Sequence, residues 1–451
     1  MAKHRKDLTQ GNINKHIINL TLPMIFGILS IVAFNLADTY FIGKLGTLEM
    51  AAITFTTPVV LILNSLNLGL GLGAGAVISR AVGENNWTKV KRLTTDSLSL
   101  GLVFALGASV LGLLTIRPLF TALGASHEAL KIIQSYMSIW YIGVPFIVIP
   151  MVGNNGIRAL GDTKTPSIVM AVSSGINILL DPLFIFGWGP IPAMGVQGAA
   201  IATVFARSIT FCVSLYVLGH REKVISFTRV SLRTILSSWG HILYIGLPTA
   251  IARMIIPFGI AFITNLIASY GDSVVAGFGI ATKIEYFSLT FVMAVSSIMP
   301  AFIGQNFGAG RMDRIHKGIL STCKFSLVSG FLIYGLLFMT SPWIGAQFSK
   351  DPQVIENVVL YLRIMPLAYP FQGVTMIITS SLNAIHQPIR SALINLGQMM
   401  VIYVPLAFIL SGLFQVKGIF MAFVVSHLLA SLTAYHIMRK REIQAMQKDR
   451  E

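Results

Sequence analysis

The sequence predicts an all-α polytopic membrane protein, with twelve transmembrane helices in two six-helix lobes related by a pseudo-twofold axis along the membrane normal. Three observations carry that prediction. Of the 451 residues, 54% are hydrophobic and only 11% are charged, where a soluble domain carries about 25% charged residues. The apolar residues gather into stretches near the ~20 residues that a helix needs to cross a bilayer core. The two halves of the chain also repeat one another.

In chain order the first-half stretches run over 16–42, 50–80, 92–119, 130–155, 165–188 and 194–219. The first carries Leu22–Pro23 near its start and Asp38 near its end. The second carries glycines at 69, 71, 73 and 75, within "NLGLGLGAGA". It lacks the G-x-x-x-x-G-K-[ST] of a nucleotide loop, and small residues inside a span permit close helix approach. The basic group Lys89, Lys91 and Arg92 precedes the third, "NGIRALGDTKTPS" separates the fourth from the fifth, and "GWGPIPAMGVQG" separates the fifth from the sixth. A basic connection, His220–Arg233, then leads to stretches over 237–269, 273–303, 318–345, 358–385, 390–413 and 416–438. This divides the chain into lobes of about 1–220 and 235–451, with 221–234 as a cytoplasmic connection.

The net charge of +16 matters less than its distribution. With the N-terminus in the cytoplasm, most Lys and Arg fall in the termini and the even-numbered connections. The groups are Lys3, Arg5 and Lys6; Lys89, Lys91 and Arg92; Arg221, Lys223, Arg229 and Arg233; Arg311, Arg314 and Lys317; and Arg439, Lys440 and Arg441. This positive-inside bias predicts a multi-pass protein of the cell (inner) membrane with both termini cytoplasmic, and it argues against nucleic-acid binding. Cys212 and Cys323 lie in spans of different halves, so neither a disulfide framework nor metal-ligand spacing is present. No cleavable signal peptide is evident, because the first apolar stretch is too long and lacks a small-residue cleavage site.

The repeat is read at a single offset. Leu22–Pro23 meets Leu247–Pro248 at 225 residues, and at that spacing Gly46 meets Gly271, Ala51 meets Ala276, Tyr136 meets Tyr361, and Pro145–Phe146 meets Pro370–Phe371. With small gaps, "VGEN" at 82–85 answers "IGQN" at 303–306, and Pro182 answers Pro405. Six spans per half give the copies the same orientation, hence an axis along the membrane normal.

Duplicated halves share what the scaffold needs, so chemistry peculiar to one half shows as a broken match. Asp38 corresponds to Ile263, and Asp181 to Val404. A carboxylate inside a span costs about 2.5–3.5 kcal/mol on insertion scales, recovered only beside protein, water or a cation. Asn177 shares the helix face of Asp181 at i,i+4. Pro182 has no N–H and so frees the carbonyl of Ile178, while Thr203 on the next span offers a hydroxyl. Carboxylates, an amide, a hydroxyl and a freed carbonyl are hard ligands for a small cation, and a close pair of carboxylates can also hold a proton. The competing readings are an Asp38 that only pairs with Lys44, and an Asn177 that only bonds helix to helix.

Lys283 and Glu285 form a second charged group. At i,i+2 they do not face each other, and Arg253 is a candidate partner for Glu285. His386 falls at a helix end, where a dipole partner is the ordinary role. The Met and Phe residues are mostly core or lipid-facing, and any that line a cavity suit varied apolar cargo. With no Walker, H-E-x-x-H or G-x-S-x-G pattern, neither ATP coupling nor an enzyme is expected, and no cofactor is implied.

"LADTYFIGKLG" (36–46), "NGIRALGDTKTPS" (155–167) and "GQNFGAGRMDRIHKG" (304–318) resemble signature stretches of the multidrug and toxic compound extrusion (MATE) transporters. The resemblance covers essentially the whole chain. It implies secondary antiport by alternating access, in which an organic cation or other amphipathic compound leaves as Na+ or H+ enters. The DinF-like branch implies a cation or protonation cluster at Asp38, Asn177, Asp181 and Thr203, supported by Tyr136. Pro23 then aligns with a proline where the first helix bends on protonation. Ile31 stands where that cluster has a glutamine, and Asn35, one turn on, is its candidate substitute. The NorM-like branch instead places acids where Gln372 and Met254 or Arg253 stand here, so that second-lobe site is expected to be absent.

The reading is a cation-coupled exporter, monomeric, in contact with membrane lipid. Its rivals are a flippase for lipid-linked saccharides or other lipids, which predicts a cavity rich in Arg and Lys, and a polytopic membrane enzyme, for which no catalytic constellation is present.

Overall fold

The computed structural model describes residues 7–226, 228 and 230–448, with side chains of the last helix described to 441. Lys3, Arg5, Lys6 and Arg229 lie outside the described residues. The helices are α1 (Ile13–Gly43), α2 (Thr47–Gly83), α3 (Trp87–Ala122), α4 (His127–Ala159), α5 (Lys164–Phe186), α6 (Val196–Tyr216) and α7 (Leu232–Ala268). They continue as α8 (Asp272–Ser288), α9 (Thr290–Gly308), α10 (Met312–Phe348), α11 (Pro352–Ile364), α12 (Tyr369–Ala384), α13 (Pro388–Leu396) and α14 (Val404–Lys448).

These elements make the twelve spans. α8 and α9 form the eighth, meeting at Leu289. α11 and α12 form the tenth, joined by the 3-10 turn Met365–Ala368, where Pro366 and Pro370 withhold two N–H donors. The eleventh runs from α13 through the π-turn Gly397–Tyr403 into α14, and Gln415, with φ 53, breaks α14 to start the twelfth. A π-turn, Val217–Arg221, also extends α6, so His220 is helical rather than part of a loop. Side chains stop the fraying of several helices. Asn86 accepts from Lys89 N (3.0 Å), Ser126 from Ala129 N (3.2 Å) and Asp351 from Gln353 N (2.9 Å), with Pro352 at the first helical position.

The chain forms two compact units. One takes Asp7 and residues 22–250; the other takes 8–21 and, among the described residues, 251–448. The core of the first gathers Phe120, Ile133, Met137, Ile157 and Leu218 from α3, α4 and the end of α6. That of the second gathers Ile267, Tyr361, Tyr369 and Phe420 from α7, α11, α12 and α14. The segment before α1 is clasped within the second unit. Leu8 is fully buried, its N–H donates to Gln305 Oε1 (3.1 Å), and its carbonyl accepts from Asn306 Nδ2 (3.2 Å) and Arg314 Nη2 (3.1 Å). Arg314 also donates to the carbonyls of Gln10 (3.2 Å) and Gly11 (2.8 Å) and to Asn306 Oδ1 (3.0 Å). The "GQNFGAGRMDR" stretch (304–314) is therefore a receptor for backbone.

The signature stretch 155–167 also spans a connection, the one from α4 to α5. In the turn into α5, Asp162 accepts from Thr165 N (3.0 Å), Thr165 Oγ1 (2.6 Å) and Arg221 Nη2 (2.5 Å). Burial pushes the Asp162 carboxyl up, but the Thr165 and Arg221 donors outweigh it and hold the group below the usual carboxylate range. Glu84, after α2, is paired with Arg80 (2.9 Å) and Lys89 (2.8 Å). Those partners overcome its desolvation and lower it too.

Candidate functional site

Four helices of the first unit carry the predicted cluster, and two glycines set its depth. At Gly198 a Cβ would stand 2.3 Å from the Phe184 carbonyl oxygen, so the start of α6 lies directly on the end of α5. At Gly143 a Cβ would stand 2.3 Å from Val204 Cγ2, which seats α6 against α4. Thr203 adjoins Val204, and Tyr136 lies two turns before Gly143 on the same face of α4. A small apolar cluster of Ile42, Ile185 and Ala199 joins the ends of α1 and α5 to the start of α6, and Phe41 meets Phe186 edge-on at 6.3 Å.

Asp181 is completely buried and Asn177 nearly so. Placing the Asn177 oxygen against a carboxylate would leave both acceptors unsatisfied. In the satisfied orientation its nitrogen donates to Asp181 Oδ2 (2.9 Å), and its oxygen accepts from Thr203 N (3.1 Å) and Oγ1 (3.2 Å). Asn177 thus bonds helix to helix and serves the carboxylate together. Asp38, half-buried on α1, lies within electrostatic reach of Asp181, and Tyr136 within reach of both. Lys44 is engaged elsewhere, its ammonium resting 4.5 Å from the centre of the Tyr40 ring.

Asn35 is exposed on α1, and its backbone carbonyl accepts from Thr39 Oγ1 (2.8 Å). Pro23 is half-buried, and α1 passes through it as one helix.

The secondary candidates do not gather into a charged group. Glu285 on α8 accepts from the phenol of Tyr361 on α11, so the predicted pairing with Arg253 is corrected: the partner is a hydroxyl donor. Tyr369 and Tyr403 lie within electrostatic reach of Glu285. Sequence reading missed these two phenols, although the Tyr136–Tyr361 match marked the place. Arg253 and Lys283 are exposed, and Gln372 Oε1 is buried without a donor among the described residues. Arg158 and Arg207, on α4 and α6, are further cations inside spans that composition did not single out.

A multi-pass helical membrane protein, with carboxylates inside its spans and a duplicated architecture, is the class that fold and cluster define. The MatE family model matches residues 23–183 and again 248–409, and the chain belongs to that family, the MATE transporters. It is 38% identical over 439 residues to the FAD transporter of Shewanella oneidensis, covering 97% of each chain. It is 26% identical over 445 residues to the probable multidrug resistance protein YpnP of Bacillus subtilis, covering 98% of each. Among solved structures, the Vibrio cholerae MATE transporter VcmN in its bent form superposes with a TM-score of 0.91, at 27% identity, over 96% of this chain and 98% of that one.

Proposed function

We propose that the chain exports amphipathic compounds in exchange for an inward-moving Na+ or H+, with Asp38, Asn177, Asp181 and Thr203 as the coupling site and Tyr136 as its supporting donor. The observation that carries this reading is the buried Asp181 held by Asn177, with Asp38 in reach and no basic side chain paired to either among the described residues. Two carboxylates that repel each other are stabilised by taking up a cation. A proton satisfies the pair directly. Sodium needs the Asn177 amide to turn and offer its oxygen, with Thr203 adding a hydroxyl. Neutralising the pair changes what α1 faces, and differential affinity of the two states for ion and cargo drives exchange. The two intramembrane aspartates, Asp38 and Asp181, both fall in the first lobe, as the DinF-like pattern implies. The protein would act as a monomer in the inner membrane with its termini cytoplasmic.

For the cargo, the relative named an FAD transporter favours a second, narrower reading: a flavin dinucleotide, planar and aromatic but anionic. Arg253 is exposed within a span, where a guanidinium is stable only beside water or an anion. It suits such a cargo. Proteoliposomes with an imposed Na+ or pH gradient test both points, with FAD and ethidium as separate cargos. Gradient-driven movement of either cargo, lost in Asp38→Asn reconstituted at equal density, is the expected result. Transport by Asp38→Asn at the wild-type rate would overturn the site, and the effective gradient identifies the ion.

A further inference from the structure

In the second unit a cavity of about 510 Å3 opens between the start of α1 and the first turns of α10. Its walls include Asn12–Asn14, Lys317, Ser321 and Lys324, and no acidic residue lines it among the described residues. Lys317, Ser321 and Lys324 are spaced i, i+4, i+7 and therefore share one face of α10. Ser321 Oγ donates to Asn14 Oδ1 (2.7 Å) and pins the first turn of α1 to that face. Both lysines are exposed, and neither has an acidic partner among the described residues. The nearest carboxylate along the helix, Asp313, is paired with Arg311 (3.5 Å). Arg314 forms the back wall, occupied by backbone carbonyls, and contributes its charge without offering donors.

The start of α1 adds to this field. Asn12 uses its side chain on Lys15 N (3.1 Å) and its carbonyl on His16 N (3.1 Å), so the N–H groups of Ile13 and Asn14 remain as the open donors of the first turn. Depth in the membrane follows from sequence. Beyond Lys324, residues 325–348 of α10 carry no charge, enough to cross the ~30 Å hydrocarbon core by themselves. Lys317 and Lys324 consequently stand at the level of lipid head groups. Leu320 and Ile13 supply an apolar border.

We infer that this cavity binds the phosphate of an anionic glycerophospholipid head group, held between the two lysines and the first turn of α1. A soluble phosphate would find the same charges but no use for the apolar border or the depth. A lipid seated here would tie α1 to α10 at the end from which both begin.

The test uses the purified full-length protein in phosphatidylcholine micelles, titrated separately with phosphatidylglycerol, further phosphatidylcholine and inorganic phosphate, and read as the thermal unfolding midpoint and as phosphatidylglycerol retained per protein after gel filtration. Phosphatidylglycerol alone should raise the midpoint and be retained. In Lys317→Ala/Lys324→Ala the concentration giving half the shift should rise about thirtyfold, the weight of two lysines near a charged head-group layer, while Lys317→Arg/Lys324→Arg keeps the effect. Should the double alanine variant not fold, the single Lys324→Gln variant is read by retained lipid. Equal retention in the alanine or glutamine variants would overturn the proposal, as would an equal shift from inorganic phosphate alone.

Discussion

Asn177 works in two directions at once, since one end of its amide braces Asp181 and the other holds Thr203. Asn177→Ala therefore removes a donor from a buried carboxylate, a loss of about 1–3 kcal/mol. The expected outcome is a shift of about tenfold or more in the ion concentration that half-saturates transport, with protein yield unchanged, measured by gradient-driven flux. Asp162 gives a contrasting case outside the spans. Its carboxyl is held below its ordinary value of 3.8, so its stabilisation is fully present above about pH 5 and is lost as pH falls through the lowered folded-state value. Asp162→Asn should lower the unfolding midpoint by the same amount at neutral and mildly alkaline pH, about 2 kcal/mol for a charge-assisted network. The gap to wild type should close only in acid below the carboxylate range.

Among the elements, α5 and α6 show what sequence makes legible and what it does not. That Asn177 and Asp181 share a face follows from 3.6-residue periodicity, and the spans themselves follow from apolar stretches of bilayer-crossing length, down to the break between 413 and 416 that Gln415 now fills. Which helices then touch is another matter. Thr203 reaches Asn177 because Gly198 and Gly143 let α6 lie against both α5 and α4, and a glycine in a glycine-rich membrane protein does not announce its neighbour. Glu285 shows the same limit, since a guanidinium was the expected partner and a phenol from α11 took the place. Gly198→Ala tests the argument directly. A methyl group 2.3 Å from backbone cannot be relieved by a rotamer change, and overpacking of this kind costs about 1–3 kcal/mol. The unfolding midpoint should fall, and transport should fall with it, because Thr203 moves with α6.

For the whole molecule, the two units do not follow chain order: residues 8–21 belong with 251–448. Such an exchange is not visible in hydropathy, which sees spans but not their company. It does have a sequence mark, since the signature around Gln305, Asn306 and Arg314 is polar within an apolar chain, and the backbone of 8–11 bonds to those side chains. Arg314→Ala should leave the buried Leu8 carbonyl with Asn306 alone and speed proteolytic cleavage near 8–12 in folded protein, read by mass spectrometry of the fragments. Cleavage at the wild-type rate would mean that Leu8 and Gln305 suffice.

Tyr136 and Tyr361 occupy one position of the repeat, and each stands by an acid, yet the acids come from different helices: α1 and α5 in one half, α8 in the other. At the repeat offset Glu285 corresponds to Val60, just as Asp38 corresponds to Ile263. Duplication thus handed down the phenol and left the charge to each copy's own history. A single substitution that places or removes an acid beside either tyrosine meets a donor already installed, so the charge at this place in the fold can change while the packing around the phenol stays the same.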